Sequence, residues 1–316
     1  MFNRALSNQY VASSITPIPY TFLRPETRIS VSNRTEIEDF LPFLPPTHIS
    51  HLNIGHWQPS SRSSIDYAKY TITPLKVFLL QAPNLKSFEY SATGGSGRAM
   101  IGSDATPFPT FKAGEKMPSL RVLTIPAYQW NHSADEVQSS WDFSHLTFLD
   151  IRGVPLFAFL STVPITAFSK LRILKVGDFF WSKKEKFRSD GILLLEKFLT
   201  GLPNLEELYL IGQNGALSLE SFRLFPNLRI LECREAILLA GEEEKTIYFT
   251  SDQLSQLREY CPYLQELVID MDVVSTEVNF LLFYQTPPFL NRDGKLTKHS
   301  SQPISQPCVT FLVSPP

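Results

Sequence analysis

The stretch "GLPNLEELYL" at residues 201–210 decides the fold, because the chain repeats it with small changes along most of its length. A phrase that recurs every 20 to 50 residues or so is typical of repeat architectures, in which neighbouring units share one core. The other clear copies are "QAPNLKSFEY" at 81–90, "KMPSLRVLTI" at 116–125, "LFPNLRILEC" at 224–233 and "YCPYLQELVI" at 260–269.

Eight copies emerge when the chain is aligned on L-x-x-L-x-L, and every motif position is apolar if Tyr90 and Cys233 are counted as such. The first positions of successive copies lie 23 to 36 residues apart, which is typical of leucine-rich repeats, the longer ones carrying inserted loops. The last two motif positions alternate with period two and predict a strand. A further half-copy lies at Ile29 and Val31, and the eight triplets are Ile49, Leu52 and Ile54; Leu85, Phe88 and Tyr90; Leu120, Leu123 and Ile125; Leu146, Leu149 and Ile151; Leu171, Leu174 and Val176; Leu205, Leu208 and Leu210; Leu228, Leu231 and Cys233; Leu264, Leu267 and Ile269.

Helices are predicted between the strands, where apolar residues recur at helical spacing, at 33–45, 189–201 and 250–262. Ser189 or Asp190 is expected to cap the second of these helices, and Ser251 or Asp252 the third. Strand, loop and helix together make one unit. The chain is therefore predicted to form an α/β leucine-rich-repeat solenoid (a horseshoe), with a parallel inner sheet and outer helices.

Composition narrows the class of protein. The 316 residues are 43% hydrophobic with a net charge of -2, so we expect a packed core and no general attraction to nucleic acid or anionic membranes. No signal peptide is predicted at the N-terminus, and no apolar run is long enough to span a membrane. Cys233, Cys261 and Cys308 are few and widely spaced, which favours a reducing compartment. We therefore expect an intracellular protein, cytoplasmic or nuclear.

A candidate partner-binding surface lies between the buried motif positions, since strand alternation turns those residues outward from the inner sheet. Five central residues are apolar or aromatic: Val122, Phe148, Ile173, Tyr209 and Ile230. An apolar stripe that faces solvent indicates a contact surface. Alternatively, inserted loops cover the stripe, or β propensity alone selected these residue types. With the neighbouring charged residues the predicted contact set is Val122, Phe148, Asp150, Ile173, Lys175, Glu207, Tyr209, Ile230 and Glu232.

Aromatic side chains just after several strands form a second candidate contact set. Trp57, Trp130 and Trp181 follow three of the predicted strands, and tryptophan is favoured at the centre of protein interfaces. The alternative is that these rings pack beneath the long loops. Both interpretations stay open at the level of sequence.

The sequence carries no convincing pattern of catalytic or cofactor-binding residues. His48, His51 and His56 lie close in sequence, but His51 points outward from a strand, His48 lies at its start, and no cysteine or paired carboxylate joins them. "GGSGR" at 94–98 lacks the order of a phosphate-binding loop. We therefore predict no metal, no cofactor and no catalytic residues. The rival hypothesis is a hydrolase with its site in the long loops at 91–118 and 127–145.

The repeat phrases "CPYLQELVI" at 261–269 and "FPNLRILEC" at 225–233 resemble those of fungal F-box/leucine-rich-repeat proteins. The resemblance covers about residues 27–285 and implies a right-handed α/β horseshoe that holds a target protein for an SCF-type ubiquitin ligase. The F-box itself is not recognisable in residues 1–45. The predicted function is therefore a protein–protein interaction scaffold, with substrate recognition of the F-box type as its specific form. The alternative is a truncated relative that binds a target without docking to the ligase.

Three segments follow from this reading of the chain. Residues 1–26 are expected to be irregular, 27–285 to form the repeat domain, and 286–316 to be a poorly ordered tail, because the tail is rich in serine and proline and lacks the repeat motif.

Overall fold

The computed structural model divides the chain into two compact units, Met1–Leu171 (unit 1) and Arg172–Pro316 (unit 2). Each unit is built from short strands that pair side by side in chain order, as in an α/β leucine-rich-repeat solenoid. The residues that the structure describes are 9–11, 27–31, 41, 44–56, 73–92, 110–126, 128, 130–177, 185–211, 217–234, 249–270 and 308–312.

Unit 1 contains six strands, each parallel to the next. They are β1 (Gln9–Val11), β2 (Thr27–Val31), β3 (Ile49–His56), β4 (Ser87–Ala92), β5 (Val122–Thr124) and β6 (Phe148–Arg152). Its helices are α1 (Thr73–Leu80), α2 (Ala134–Ser140) and α3 (Leu156–Thr162), with 3-10 turns at Pro46–His48 and Ile165–Phe168.

Unit 2 continues the pattern with four parallel strands and one antiparallel strand. The parallel strands are β7 (Ile173–Gly177), β8 (Glu207–Ile211), β9 (Ile230–Arg234) and β10 (Glu266–Asp270), and the antiparallel strand is β11 (Cys308–Leu312). The long helix α4 (Glu185–Thr200) and the helix α5 (Ser251–Tyr260) both contact a 3-10 turn at Leu219–Leu224.

The core consists of rows of motif residues that neighbouring strands place side by side. In unit 1 the register aligns Leu52 with Phe88, Leu123 and Leu149, and in unit 2 it aligns Leu174 with Leu208, Leu231 and Leu267. All eight motif triplets are buried, and even Leu264, the most accessible motif residue, is only 7% exposed. Each such side chain contributes about 1.5–3 kcal/mol on burial, before the loss of conformational entropy. The predicted fold class is confirmed.

The "x-P-x-L" part of the phrase forms the turn that leads into four of the strands, β4, β8, β9 and β10. The residue before the proline accepts a hydrogen bond from the backbone N–H of the motif leucine three positions later. This bond is 3.1 Å from Leu85 to Ala82, and 3.0 Å from Leu228 to Phe225. Proline suits the second position of such a turn because its ring fixes φ near the required value. The residue before the proline points inward, and Ala82 and Phe225 are both completely buried.

The helix boundaries differ from the predicted ones. α4 begins at Glu185, so neither Ser189 nor Asp190 caps it. α5 is capped by Thr250, whose side chain accepts from the Gln253 backbone N–H while the Gln253 side chain accepts from the Thr250 N–H. This reciprocal pair satisfies two backbone donors, so the cap is Thr250 and not Ser251 or Asp252, as was predicted. The helix predicted at 33–45 lies outside the described residues, apart from residues 41, 44 and 45.

The two ends of the chain carry strands that the repeat motif did not predict. β1 lies within the 1–26 segment that was expected to be irregular. β11 lies within the 286–316 tail, for which no strand was predicted, and the rest of that tail falls outside the described residues.

Two candidate protein-binding faces

The unit 1 face is the sheet surface between the buried rows of β3 to β6. The register sets His51, Ser87, Val122 and Phe148 side by side in one row and Asn53, Glu89, Thr124 and Asp150 in the next. Asp150 is buried and the other seven are partly exposed. Val122 and Phe148 therefore remain accessible among the described residues, as predicted from their position in the repeat.

Polar side chains occupy the second row of the unit 1 face. Asn53 Nδ2 donates a 2.8 Å hydrogen bond to Glu89 Oε2. Burial raises the pKa of the Glu89 carboxyl above its usual range, and the nearby Asp150 carboxylate raises it further. Arg152 holds Asp150 in a bidentate pair, with Nε 2.9 Å from Oδ1 and a terminal nitrogen 2.6 Å from Oδ2.

Asp150 was predicted to face outward as part of the contact set, but its side chain is buried. Its side chain is only 3% exposed, because Arg152 lies two residues further along the same strand and covers it. The guanidinium of Arg152, and not the Asp150 carboxylate, is the group partly exposed to solvent here. Sequence reasoning missed Arg152, although the D-x-R spacing puts both side chains on one side of a strand.

The unit 2 face lies on β7 to β10. Its first row is Ile173, Glu207, Ile230 and Glu266, and its second row is Lys175, Tyr209, Glu232 and Val268. Seven of these side chains are partly exposed. Val268 is buried, with 3% of its surface accessible, although its position in the repeat predicted an outward-facing side chain.

Tyr209 is the centre of the unit 2 face. The Lys175 ammonium lies 4.3 Å from the centre of its ring, within the range of a cation–π interaction. The Tyr209 hydroxyl donates a 2.9 Å hydrogen bond to Glu207 Oε2. Burial, followed by the effects of Glu207 and the neighbouring carboxylates, raises the pKa of the Tyr209 phenol well above its ordinary value. The hydroxyl therefore stays protonated and keeps donating to Glu207 under all physiological conditions.

Three side-chain pairs on the two faces lie along a single strand, whereas Lys175 contacts Tyr209 and Asn53 contacts Glu89 across neighbouring strands. Arg234 Nε lies 3.0 Å from Glu232 Oε1, as Arg152 lies beside Asp150 and Tyr209 beside Glu207. Each pair is separated by two residues, which is the spacing that places side chains on the same side of a strand. On β9 the charge of Glu232 is thus balanced within its own strand. Ile173 and Ile230 provide partly exposed apolar surface on the unit 2 face.

Trp130 was predicted to contact a partner as part of an exposed aromatic set, but its ring is buried. The ring is 4% exposed and packs against Phe159, with ring centres 4.6 Å apart. Its indole N–H donates a 2.8 Å hydrogen bond to Thr162 Oγ1 on α3. The alternative reading, in which the ring packs beneath a loop, accounts for this position. Trp57 and Trp181 lie outside the described residues.

A buried polar chain adjoins Trp130. Tyr128 Oη and His132 Nε2 are 2.8 Å apart, and His132 Nδ1 and Glu136 Oε1 are 2.9 Å apart. Glu136 Oε1 also accepts from the backbone N–H of Phe111 at 2.6 Å. Burial lowers the pKa of His132 below its ordinary value, and the Glu136 carboxylate opposes this shift without cancelling it. Sequence reasoning gave this histidine no structural role.

Two constellations contain the residue types of a hydrolase, and neither has the geometry of one. Tyr128, His132 and Glu136 follow the order nucleophile, base, carboxylate, but Tyr128 and His132 are buried against aromatic rings. Ser119, Asp142 and His145 are exposed, but the Ser119 hydroxyl donates directly to Asp142, so no histidine stands between the hydroxyl and the carboxylate. A general base must contact the proton that it removes. The described loops therefore give the rival hydrolase hypothesis no support.

Asp142 has a structural role in this exposed group. It accepts hydrogen bonds from the Ser119 hydroxyl and from the Ser144 backbone N–H, the latter at 3.0 Å. These bonds favour the charged carboxylate and lower the pKa of Asp142 to about 2. Asp142 thus ties the turn after α2 to the start of β5.

Metal ligands do not cluster in the described part of the chain, where no group of three His, Cys, Asp or Glu side chains converges. His48 contacts the Thr47 hydroxyl, and His51 contacts the Ser50 hydroxyl at 2.7 Å. The side chain of His56 is outside the described set.

None of the described helices has the length and apolar character that crossing a bilayer requires.

Comparison with known proteins gives likenesses to solved structures and no sequence match. No family model matches the chain, and no curated protein matches it. The crystal structure of the leucine-rich repeat-containing protein LegL7 from Legionella pneumophila is similar over 79% of this chain and 85% of that one, with 15% identity and a TM-score of 0.31. A likeness at this level adds nothing to what the strand register shows, and it does not bear on function.

Proposed function

We propose that the protein is a non-enzymatic scaffold that binds a partner protein through its sheet faces, above all the unit 2 face. The observation that carries this proposal is that Ile173, Tyr209 and Ile230 are partly exposed on regular strands. A sheet face turned to water ordinarily carries polar side chains at such positions. Large apolar and aromatic residues there are what a contact surface needs.

The chemistry of the unit 2 face suits a protein partner. Tyr209 supplies a rigid ring whose hydroxyl is already bonded to Glu207 and whose face carries the Lys175 ammonium. Because these contacts exist before binding, little side-chain freedom remains to be lost when a partner arrives. The pair formed by Glu232 and Arg234 borders this ring and resembles the polar rim that surrounds most interface centres.

The unit 1 face supplies a second, smaller contact area. Val122 and Phe148 stand next to each other on β5 and β6, and both are partly exposed. Their neighbours in the second row, Thr124 and the pair formed by Asp150 and Arg152, are polar. We assign this area an auxiliary role in holding the same class of partner.

The proposal is tested by affinity purification from cells that express the tagged protein. The Tyr209→Ala and Ile230→Ala double variant should recover the wild-type partners at least tenfold less efficiently, as expected when interface anchors are truncated. The matched control is Tyr263→Ala, since Tyr263 is 60% exposed and lies outside both faces. Equal recovery by the two variants, with unchanged melting temperatures, would refute the role of the unit 2 face.

A finer proposal is substrate recognition of the F-box/leucine-rich-repeat type, in which the bound protein is the target of an SCF-type ubiquitin ligase in the cytoplasm or nucleus. It is supported by the repeat phrases alone. Its test is co-purification with the ligase core subunits together with the target. Recovery of a target without those subunits would instead favour the truncated relative, which binds and does not deliver.

A further inference from the structure

β11 differs from the other strands of unit 2 in its direction and in its distance from its neighbour in the sequence. It runs antiparallel to β10 and pairs with all five of its residues, from Glu266 opposite Leu312 to Asp270 opposite Cys308. The other strands of this unit follow one another in parallel. Thirty-seven residues, 271–307, separate β11 from β10 in the sequence. β11 is therefore an added strand on the last edge of the repeat stack rather than a further repeat.

The register of β11 continues the buried row of the repeats. Val309 stands opposite Ile269, and Phe311 stands opposite Leu267. Residues that face each other in an antiparallel pair lie on the same side of the sheet, and Leu267 and Ile269 belong to the buried side. The sequence "CVTFL" thus places Val309 and Phe311 in register with the last two motif residues of β10.

Without β11 the outer edge of β10 would present unpaired backbone donors and acceptors beside an apolar row. Such an edge accepts any extended chain whose alternating side chains match it. "CVTFL" is uncharged and rich in β-branched and aromatic residues, which suits this role. Pro307 precedes it and Pro315 follows, so the sequence confines the strand to a short segment.

We propose that the outer edge of β10 is a strand-addition site. Its ligand is an extended antiparallel segment with apolar residues in register with Leu267 and Ile269, and the chain's own residues 308–312 occupy it in the free protein. This site is separate from the unit 2 face and does not depend on the scaffold function proposed above. The tethered strand acts as an internal competitor, since its covalent connection to β10 holds it at an effective concentration on the order of millimolar.

The register is tested by a disulfide. In an antiparallel pair the Cα atoms of opposite residues are about 4.5–5.5 Å apart, a distance that a disulfide spans. Asp270→Cys should therefore form an intramolecular disulfide with Cys308 when treated with oxidised glutathione. Glu266→Cys is the matched control, because it lies four residues before Asp270, roughly 13 Å along β10, and should form no disulfide with Cys308. Failure of Asp270→Cys to cross-link, or cross-linking of both variants, would overturn the proposal.

The site itself is tested with a fluorescent peptide of residues 306–314 carrying Cys308→Ser, titrated against the full chain by anisotropy. A chain with Val309→Asp and Phe311→Asp, which weakens docking of the internal strand, should bind the peptide at least tenfold more tightly than the wild type. Oxidised Asp270→Cys, with the edge locked, should bind it at least tenfold more weakly than the same variant after reduction. A peptide with Phe311→Asp should lose binding to every chain, whereas Thr310→Ser in the peptide should leave binding unchanged.

These outcomes decide the proposal without any deletion variant. Tighter binding to the opened chain and weaker binding to the locked chain support it. Equal binding to both chains, absence of binding to the opened chain, or equal binding of the Phe311→Asp peptide refutes it.

Discussion

Unit 1 and unit 2 share their strand motif but differ in what packs behind the strands. In unit 2 the helices contribute mainly aliphatic side chains, such as Leu195, Leu199 and Leu254. In unit 1 the corresponding layer holds Trp130 and the buried chain of Tyr128, His132 and Glu136. The same leucine rows are therefore compatible with two different covering layers, and the buried histidine lies in the layer of unit 1.

The largest expected effect concerns the rows that the units share. Leu123 in unit 1 and Leu208 in unit 2 occupy the same motif position and are both completely buried. Leu123→Ala and Leu208→Ala should each lower the free energy of unfolding by about 2–5 kcal/mol, since each leaves a cavity between neighbouring strands. Urea unfolding measures both values. Leu193→Ala, on a 63% exposed residue of α4, is the control and should change stability by less than about 0.5 kcal/mol.

A cost below about 1 kcal/mol for only one of the two leucine variants would break the comparison. It would mean that the shared row carries stability in one unit and not in the other.

The second expected effect is a pH dependence of stability that arises from His132 in unit 1. Burial keeps the folded pKa of His132 below 6.5, so the folded protein takes up this proton less readily than the unfolded chain. The stabilising contribution is complete above about pH 6.5 and is lost as the pH falls through the folded pKa. One proton gives a slope of at most about 1.4 kcal/mol per pH unit.

Urea unfolding followed by tryptophan fluorescence at pH 7.5, 6.5 and 5.5 measures this slope, since Trp130 and Trp141 lie beside His132. His132→Gln should flatten the dependence, because an amide can bond to both neighbours and does not titrate in this range. Parallel curves for the wild type and the variant would show that another group governs the response to acid.

The smallest expected effects on stability concern the helix caps. Each unit has one helix whose cap is defined by a side-chain hydrogen bond. Thr250 caps α5 in unit 2 with a reciprocal Gln253 contact, and Ser133 caps α2 in unit 1 by accepting from Glu136. Thr250→Ala should cost about 1 kcal/mol of helix stability, detected as faster amide exchange across the first turn of α5. Gln256→Ala, at an exposed position of the same helix, should leave that exchange unchanged. If both variants exchange alike, the cap does not determine the start of α5.

The repeat motif predicted the strands and their buried rows because its signal is local and recurs eight times. Motif spacing alone predicted that Leu52, Leu123 and Leu208 are buried. The exposed positions Val122, Ile173 and Tyr209 followed from the same alternation. Whether these positions bind a partner stays a prediction, since alternation gives the direction of a side chain and not its use.

The errors have physical causes that act beyond the motif. Trp130 is buried because Thr162 and Phe159, about thirty residues away, receive it, and no local pattern contains that contact. Asp150 is covered by Arg152, a partner that the period-two rule could have supplied. β11 escaped notice because an antiparallel strand at the end of a parallel stack has neither the motif nor its spacing.

The pairing of charges along single strands has a consequence for how such a chain changes over time. Glu207 with Tyr209 and Glu232 with Arg234 are contacts inside one repeat, whereas Lys175 reaches the Tyr209 ring from the neighbouring repeat. A repeat that is duplicated, deleted or exchanged by recombination therefore carries the first two contacts to its new place. The aliphatic row and the contact of Lys175 with Tyr209 are what a new neighbour has to match.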